Sequence, residues 1–123
     1  MKIIDAMLEA DLRAPNDIEQ AQTLRWLSRL DGQLADGTFG THVDTEVEFT
    51  GYDENTDMEN TDLLVGPPYD GMYVDYLVMN IYLLQQEIQR YNNAALVYAE
   101  SLRRWQNWYN KSHVPKTAGH LRF

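Results

Sequence analysis

The chain contains no cysteine, which excludes disulfide bridges, thiolate metal sites and thiol nucleophiles. Histidine is sparse too. His42, His113 and His120 are widely separated in sequence, with no close pair at metal-ligand or catalytic spacing. No run approaches the roughly 18 apolar residues that a membrane helix needs. The opening MKIIDAMLEADLRAPND lacks the apolar stretch and small-residue cleavage site of an export signal. These absences lead us to expect a soluble protein made without export, with no membrane partner. Positive charge is also short: ten basic residues against nineteen acidic ones give a net charge of −9, which works against general capture of nucleic acid.

What is present is unevenly distributed. Between 44 and 62 lie Asp44, Glu46, Glu48, Asp53, Glu54, Asp57, Glu59 and Asp62, with no basic residue among them. From residue 69 onward six Lys or Arg face four Asp or Glu, so the balance reverses. A chain of 123 residues is large enough for one self-sufficient core, and we read it as a single domain.

Helical spacing dominates the apolar pattern, so the expected fold is mainly α, a small helical bundle with long C-terminal helices. Residues 1–17 read as an N-terminal helix and linker, with Ile3, Ile4, Met7 and Leu8 on one side and a break at Ala14-Pro15. Asn16 or Asp17 is the expected cap of a second helix from about Ile18 to Leu34, which buries Leu24, Trp26, Leu27, Leu30 and Leu34. Gly32 weakens or ends its last turn. Residues 40–68 form a central excursion. Within it THVDTEVEFTGY sets Val43, Thr45, Val47 and Phe49 against Asp44, Glu46 and Glu48, the period of two expected of a short strand or hairpin. An edge strand there is suited to pairing within the subunit, with a neighbouring copy or with a partner protein.

From Tyr73 the positions Tyr73, Leu77, Leu84, Ile88, Tyr91, Ala95, Tyr98, Leu102, Trp105 and Tyr109 step at helical spacing over nearly forty residues. A long bent helix or two helices separated by a tight turn at Asn92-Asn93 would give this pattern; we favour two helices, because adjacent asparagines are costly inside a helix and useful at its start. The expected core is therefore Trp26, Leu27, Leu30, Tyr73, Leu77, Leu84, Ile88, Tyr91, Tyr98, Leu102, Trp105 and Tyr109. Residues 116–123 read as a tail.

Few residues suggest chemistry. Asp53, Asn55, Asp57 and Glu59 alternate like the start of a calcium loop, but the sixth position is Met58 and the twelfth is Leu64, against the glycine and glutamate such a loop requires. Asp44 is the nearest carboxylate in sequence to hold a ring nitrogen of His42. Ser28, Ser101 and Ser112 carry no nucleophile signature. The expectation is a non-enzyme without cofactor or metal. Aromatic rings interleaved with Arg90, Arg103, Arg104 and Lys111 have the composition of a nucleic-acid stacking surface. The shared helical face of Tyr91, Tyr98, Trp105 and Tyr109 favours packing instead.

The ordered pieces resemble a known group. Trp26-Leu27 with Leu30-Asp31-Gly32, Gly51-Tyr52-Asp53 with Leu63-Leu64-Val65, Pro67-Pro68-Tyr69-Asp70, Tyr91-Asn92-Asn93, and Tyr109-Asn110 with His113-Val114-Pro115 are similar to segments of head–tail connector, adaptor or head-completion proteins of tailed bacteriophages and prophages. The resemblance covers about residues 20–116. It implies a structural virion protein, a ring of twelve-fold order between the portal protein and a tail-side adaptor or stopper. It also implies that DNA passes through the channel without sequence-specific binding, and that the protein sits at the virion head–tail interface after assembly in the host cytoplasm. The alternative is a non-virion assembly factor or a small regulatory binding module. Trp108 misses the stripe of Leu102, Trp105 and Tyr109, and Arg104 lies one turn before it. Arg104, Trp108 and Lys111, with Val43, Val47 and Phe49 of the extended segment, are the interface candidates.

Overall fold

The computed structural model describes residues 1–116. Helix α1 (Ile3–Arg13) turns Ile3, Ala6, Met7 and Ala10 inward. Leu8, expected on that side, is exposed, because the buried stripe runs through the two small alanines. The first amides of α1 find acceptors outside the helix, Ile3 N–H on the Thr61 carbonyl and Ile4 N–H on that of Met58, each at 3.0 Å. The returning arm of the central excursion thus closes the start of the first helix. After Ala14 the Asn16 side chain accepts the Ile18 N–H at 2.9 Å and donates to the Ala14 carbonyl and the Asp11 carboxylate. Asn16 shapes this linker and does not cap a helix; α2 (Gln20–Leu34) starts later, without a side-chain cap.

Helix α2 buries Leu24, Trp26, Leu27, Leu30 and Leu34 along one face, and Thr23 and Asp31 with them. Gly32 does not end it. The helix runs through to Leu34 and widens into a π turn over Ala35–Phe39. With no side chain at Gly32, the Phe49 ring lies 3.7 Å from where its Cβ would be.

Helix α3 (Met72–Leu84) is apolar nearly all round, as its place among the other helices requires: α1, α2 and α4 all pack on it. Tyr73, Leu77 and Ile81 are essentially inaccessible. Burying an aliphatic side chain of this size contributes about 1.5–3 kcal/mol, so α3 is the main apolar contributor to the core.

Helix α4 (Ile88–Ser112) is continuous, and the break expected at Asn92-Asn93 is absent. Both asparagines are exposed within the helix, where each costs only a few tenths of a kcal/mol to about 0.7. The chain reverses earlier. Gln86 adopts φ 59°, Glu87 N–H reaches the Tyr82 carbonyl at 3.0 Å, and Gln86 N–H reaches that of Leu83 at 3.1 Å. This is the paired-bond helix stop usually built around glycine. Leu84 and Ile88 flank this elbow and are each 58% exposed. They do not belong to the core, whose fully buried residues on α3 end at Ile81. Tyr91, Tyr98 and Leu102 are half-buried, and Trp105 and Tyr109 are buried.

The strand expected over Val43–Phe49 does not form. The described residues contain two isolated antiparallel bridges, Lys2 with Asp62 and His42 with Pro115, and no named strand. Val43 and Asp44 form an exposed turn, with Asp44 at φ 60°; from Thr45 the segment is nonetheless extended, with Thr45, Val47 and Phe49 half-buried and Glu46 and Glu48 exposed. An extended backbone alternates its side chains whether or not a neighbour pairs with it. The tail expected at 116–123 lies outside the described residues apart from Lys116.

Candidate interaction cleft and the carboxylate behind it

Asp31 sits in the apolar stripe of α2 and has no exposed surface. A carboxylate there needs donors, and three converge on it. Tyr52 Oη donates to Oδ2 at 2.5 Å, Leu64 N–H to Oδ2 at 3.1 Å, and Tyr73 Oη to Oδ1 at 2.6 Å. Tyr73 Oη in turn accepts the Val65 N–H at 2.8 Å. Burial pushes the Asp31 carboxyl above its ordinary value, and the three donors pull it partly back. Burial, followed by the adjacent Asp31, pushes both phenols up, so Tyr52 and Tyr73 stay protonated donors. The closed network fixes the backbone of Leu64 and Val65 to α2 and α3. Gly51 completes the approach. Its φ of 100° suits glycine, and a Cβ there would lie 3.2 Å from Ser28 Oγ, which accepts the Tyr52 N–H at 3.0 Å.

Leu64 and Val65 then form one wall of a cleft of about 450 Å³. Val47 and Thr45 line it from the extended segment, and Trp105 and Trp108 from α4. Aromatic contacts tie its base together. Phe39 lies 5.5 Å from Trp105 and meets Tyr109 edge-on at 5.3 Å, while His113 stacks on Tyr109 at 3.9 Å. His42 is buried edge-on to Tyr109. Its Nδ1 lies 2.6 Å from the Thr38 carbonyl and its Nε2 2.9 Å from Asn110 Oδ1. Asp44, the carboxylate nearest in sequence, is not among its partners; it is exposed at φ 60°. His42 therefore pins the π turn to α4.

The interface candidates separate. Trp108 is 44% exposed and packs on Tyr69 at 5.2 Å, at the cleft rim. Arg104 does not cover it. Its guanidinium turns to Glu100, which takes Arg104 at 3.3 Å and Arg103 at 2.6 Å and is held below the usual carboxylate range by those partners, Arg103 foremost. Val47 lines the same cleft as Trp108, so two residues sixty-one positions apart in sequence come together. Phe49 points elsewhere, edge-on to Tyr52 at 4.9 Å and against Gly32. Val43 and Lys111 are exposed and do not line the cleft.

In the acidic loop Asp53 Oδ1 accepts the Asn55 N–H at 2.8 Å, and Asp57 takes the Asn60 side-chain amide at 2.8 Å. These carboxylates brace local turns. No group of three or more His, Asp or Glu among the described residues is arranged to hold a metal.

The sequence reading missed the Asp31 network. Its signal was present: a carboxylate one turn after Leu27, inside an apolar stripe, must find buried donors. No family model, curated protein or solved structure matches this chain.

Proposed function

We propose that this protein is a structural virion component of a tailed bacteriophage or prophage. In this reading it assembles as a ring, of twelve copies, between the portal and a tail-side adaptor or stopper, and extends the DNA channel. The observation that carries the assembly reading is the distribution of exposed apolar side chains. Leu83, Leu84, Ile88, Leu96, Val97 and Trp108, all on the α3–α4 hairpin, are at least 44% exposed. A surface of this kind on a small acidic chain is suited to burial against other subunits. The connector identity rests on the resemblance of the ordered segments. The acidic stretch 44–62 suits a channel through which DNA moves without adhering, since like charges disfavour lasting contact.

Native mass spectrometry and negative-stain microscopy of the protein, with and without the portal protein, test this function. The expected result is a closed ring in the presence of portal, with near-stoichiometric copies per purified particle. Absence of a ring in both conditions, together with absence from particles, rules the reading out. A transient assembly factor would bind during assembly yet be missing from the finished particle.

A further inference from the structure

Thr45 to Thr50 follows the left-handed turn at Asp44 in extended form, and among the described residues none of its backbone groups takes part in a backbone–backbone hydrogen bond. Such an edge accepts a second extended chain, with the ladder giving affinity and alternate side-chain sites giving selectivity. On one side of this edge Asp44, Glu46 and Glu48 are exposed. On the other, Thr45 and Val47 run along the aromatic cleft. A matching strand carries apolar side chains two residues apart for the cleft and a cation between them for the carboxylates. Residues 121–123, Leu-Arg-Phe, have that pattern, and no acidic residue follows Glu100.

The direction of the chain selects the donor. Val43 N–H bonds the Val114 carbonyl at 2.7 Å and Lys116 N–H bonds that of Thr41 at 2.8 Å, around the antiparallel bridge of His42 with Pro115. In this register the chain at Lys116 heads toward Gly40 and away from Asp44. The Lys116–Glu46 ion pair at 2.5 Å is half-exposed on both sides and is weak enough to exchange for another cation.

We propose that segment 117–123 of one copy adds as a strand to Thr45–Thr50 of a second copy, with Leu121 and Phe123 in the cleft and Arg122 among the exposed carboxylates of Asp44, Glu46 and Glu48. The donated and receiving surfaces differ, so the contact is head-to-tail and closes only if its rotation closes. The inference deepens the ring reading and rests on it for closure alone.

The test uses the full chain and a Leu121→Ser/Phe123→Ser variant, with a synthetic peptide of residues 116–123 as the probe. Hydrogen exchange reads the amides of Thr45, Val47 and Phe49, and fluorescence reads the cleft tryptophans Trp105 and Trp108 in a chain that also carries Trp26. The wild-type chain gains protection at these amides as its concentration rises, and the variant does not. Added peptide restores protection to the variant and shifts its tryptophan emission, while a peptide with Arg122→Glu binds about tenfold weaker or less. No protection under any condition overturns the proposal. Protection that is independent of concentration, yet lost in the variant, overturns the second-copy assignment in favour of docking within one chain. Rings that form unchanged from the variant overturn this contact while leaving the ring reading intact. Peptide binding with only open chains or dimers supports the contact and sinks the ring.

Discussion

Replacing Tyr73 with phenylalanine isolates the buried carboxylate network with little change in shape. The ring still fills its fully buried site, and only the hydroxyl goes. That hydroxyl serves two partners, donating to Asp31 at 2.6 Å and accepting the Val65 N–H at 2.8 Å. A hydrogen bond to a charged group is worth about 1.5–3 kcal/mol net, and a stranded buried amide costs about 1–3 kcal/mol. The two losses overlap because one oxygen makes both contacts. We therefore expect Tyr73→Phe to cost about 3 kcal/mol, a large fraction of the roughly 5–15 kcal/mol that stabilises an ordinary domain. The melting temperature should fall by about 10 °C. Tyr52→Phe removes a donor from the same carboxylate, but Tyr52 is only half-buried and water can replace it, so about 1–2 kcal/mol is expected. Urea unfolding of both single variants and the double variant closes the cycle. The shared Asp31 should give a coupling of at least about 0.5 kcal/mol. A Tyr73→Phe midpoint within about 0.5 kcal/mol of wild type would refute the argument that this hydroxyl holds the central arm.

Asp31 has a folded-state pKa raised above its unfolded reference, so its contribution to stability is fully present below about pH 4 and is lost as pH rises through the folded value. The stability of wild type relative to Asp31→Asn should accordingly decline from pH 4 toward neutrality, as measured by denaturant melts across that range; a difference that grows with pH contradicts the assignment. Trp105→Ala should destabilise the subunit by about 3–5 kcal/mol, whereas Trp108→Ala should cost the isolated fold about 1 kcal/mol or less and weaken ring or portal attachment. Thermal melting beside a portal-binding assay separates the two, and equal destabilisation would return Trp108 to the core. Gln86→Gly removes a side chain from a left-handed position and should leave stability unchanged or raise it by up to about 1 kcal/mol, read from the urea midpoint; a loss above about 1 kcal/mol would show that the Gln86 side chain has a role in the elbow.

The helical skeleton was readable because helical spacing survives in the sequence whatever packs against it. Trp26, Leu27, Leu30, Tyr73, Leu77, Trp105 and Tyr109 follow it and are buried. The position of the α3–α4 elbow was not readable. The reversal uses Gln86 in a conformation that sequence patterns associate with glycine, while the conspicuous Asn92-Asn93 pair is carried on an exposed helix face. Leu84 and Ile88 continued the stripe past the point where other helices cover it, so spacing marked them as core and geometry exposed them. The alternation holds from Thr45 to Phe49 and fails at Val43, which is exposed beside the turn at Asp44; alternation reports an extended backbone and not a partner. At the cleft, Trp108 and Val47 were each legible as surface candidates from local pattern. Their convergence depends on a long-range fold that one stretch of sequence cannot encode by itself. Segments containing Asp31, Tyr52 and Leu64-Val65 were conspicuous separately, and their shared chemistry emerges only when the carboxylate is seen to lack any nearer donor.

That carboxylate also explains why the cleft has a fixed wall. Leu64 and Val65 line the cleft, while their amides are held by Asp31 and by Tyr73. An apolar residue at position 31 would suit the stripe of Leu27, Leu30 and Leu34 by hydrophobicity alone. It would leave Leu64 N–H and the phenols of Tyr52 and Tyr73 without their acceptor, and the Leu64 amide has no helix or sheet to fall back on. The loop between Gly51 and Gly66 has almost no regular structure of its own, so its position is set by these bonds and by the contacts of Met58 and Thr61 with the start of α1. The polar network is therefore a positioning device for the surface on which docking is proposed. A substitution at Tyr73 should disturb the cleft through Val65, although Tyr73 itself does not line it.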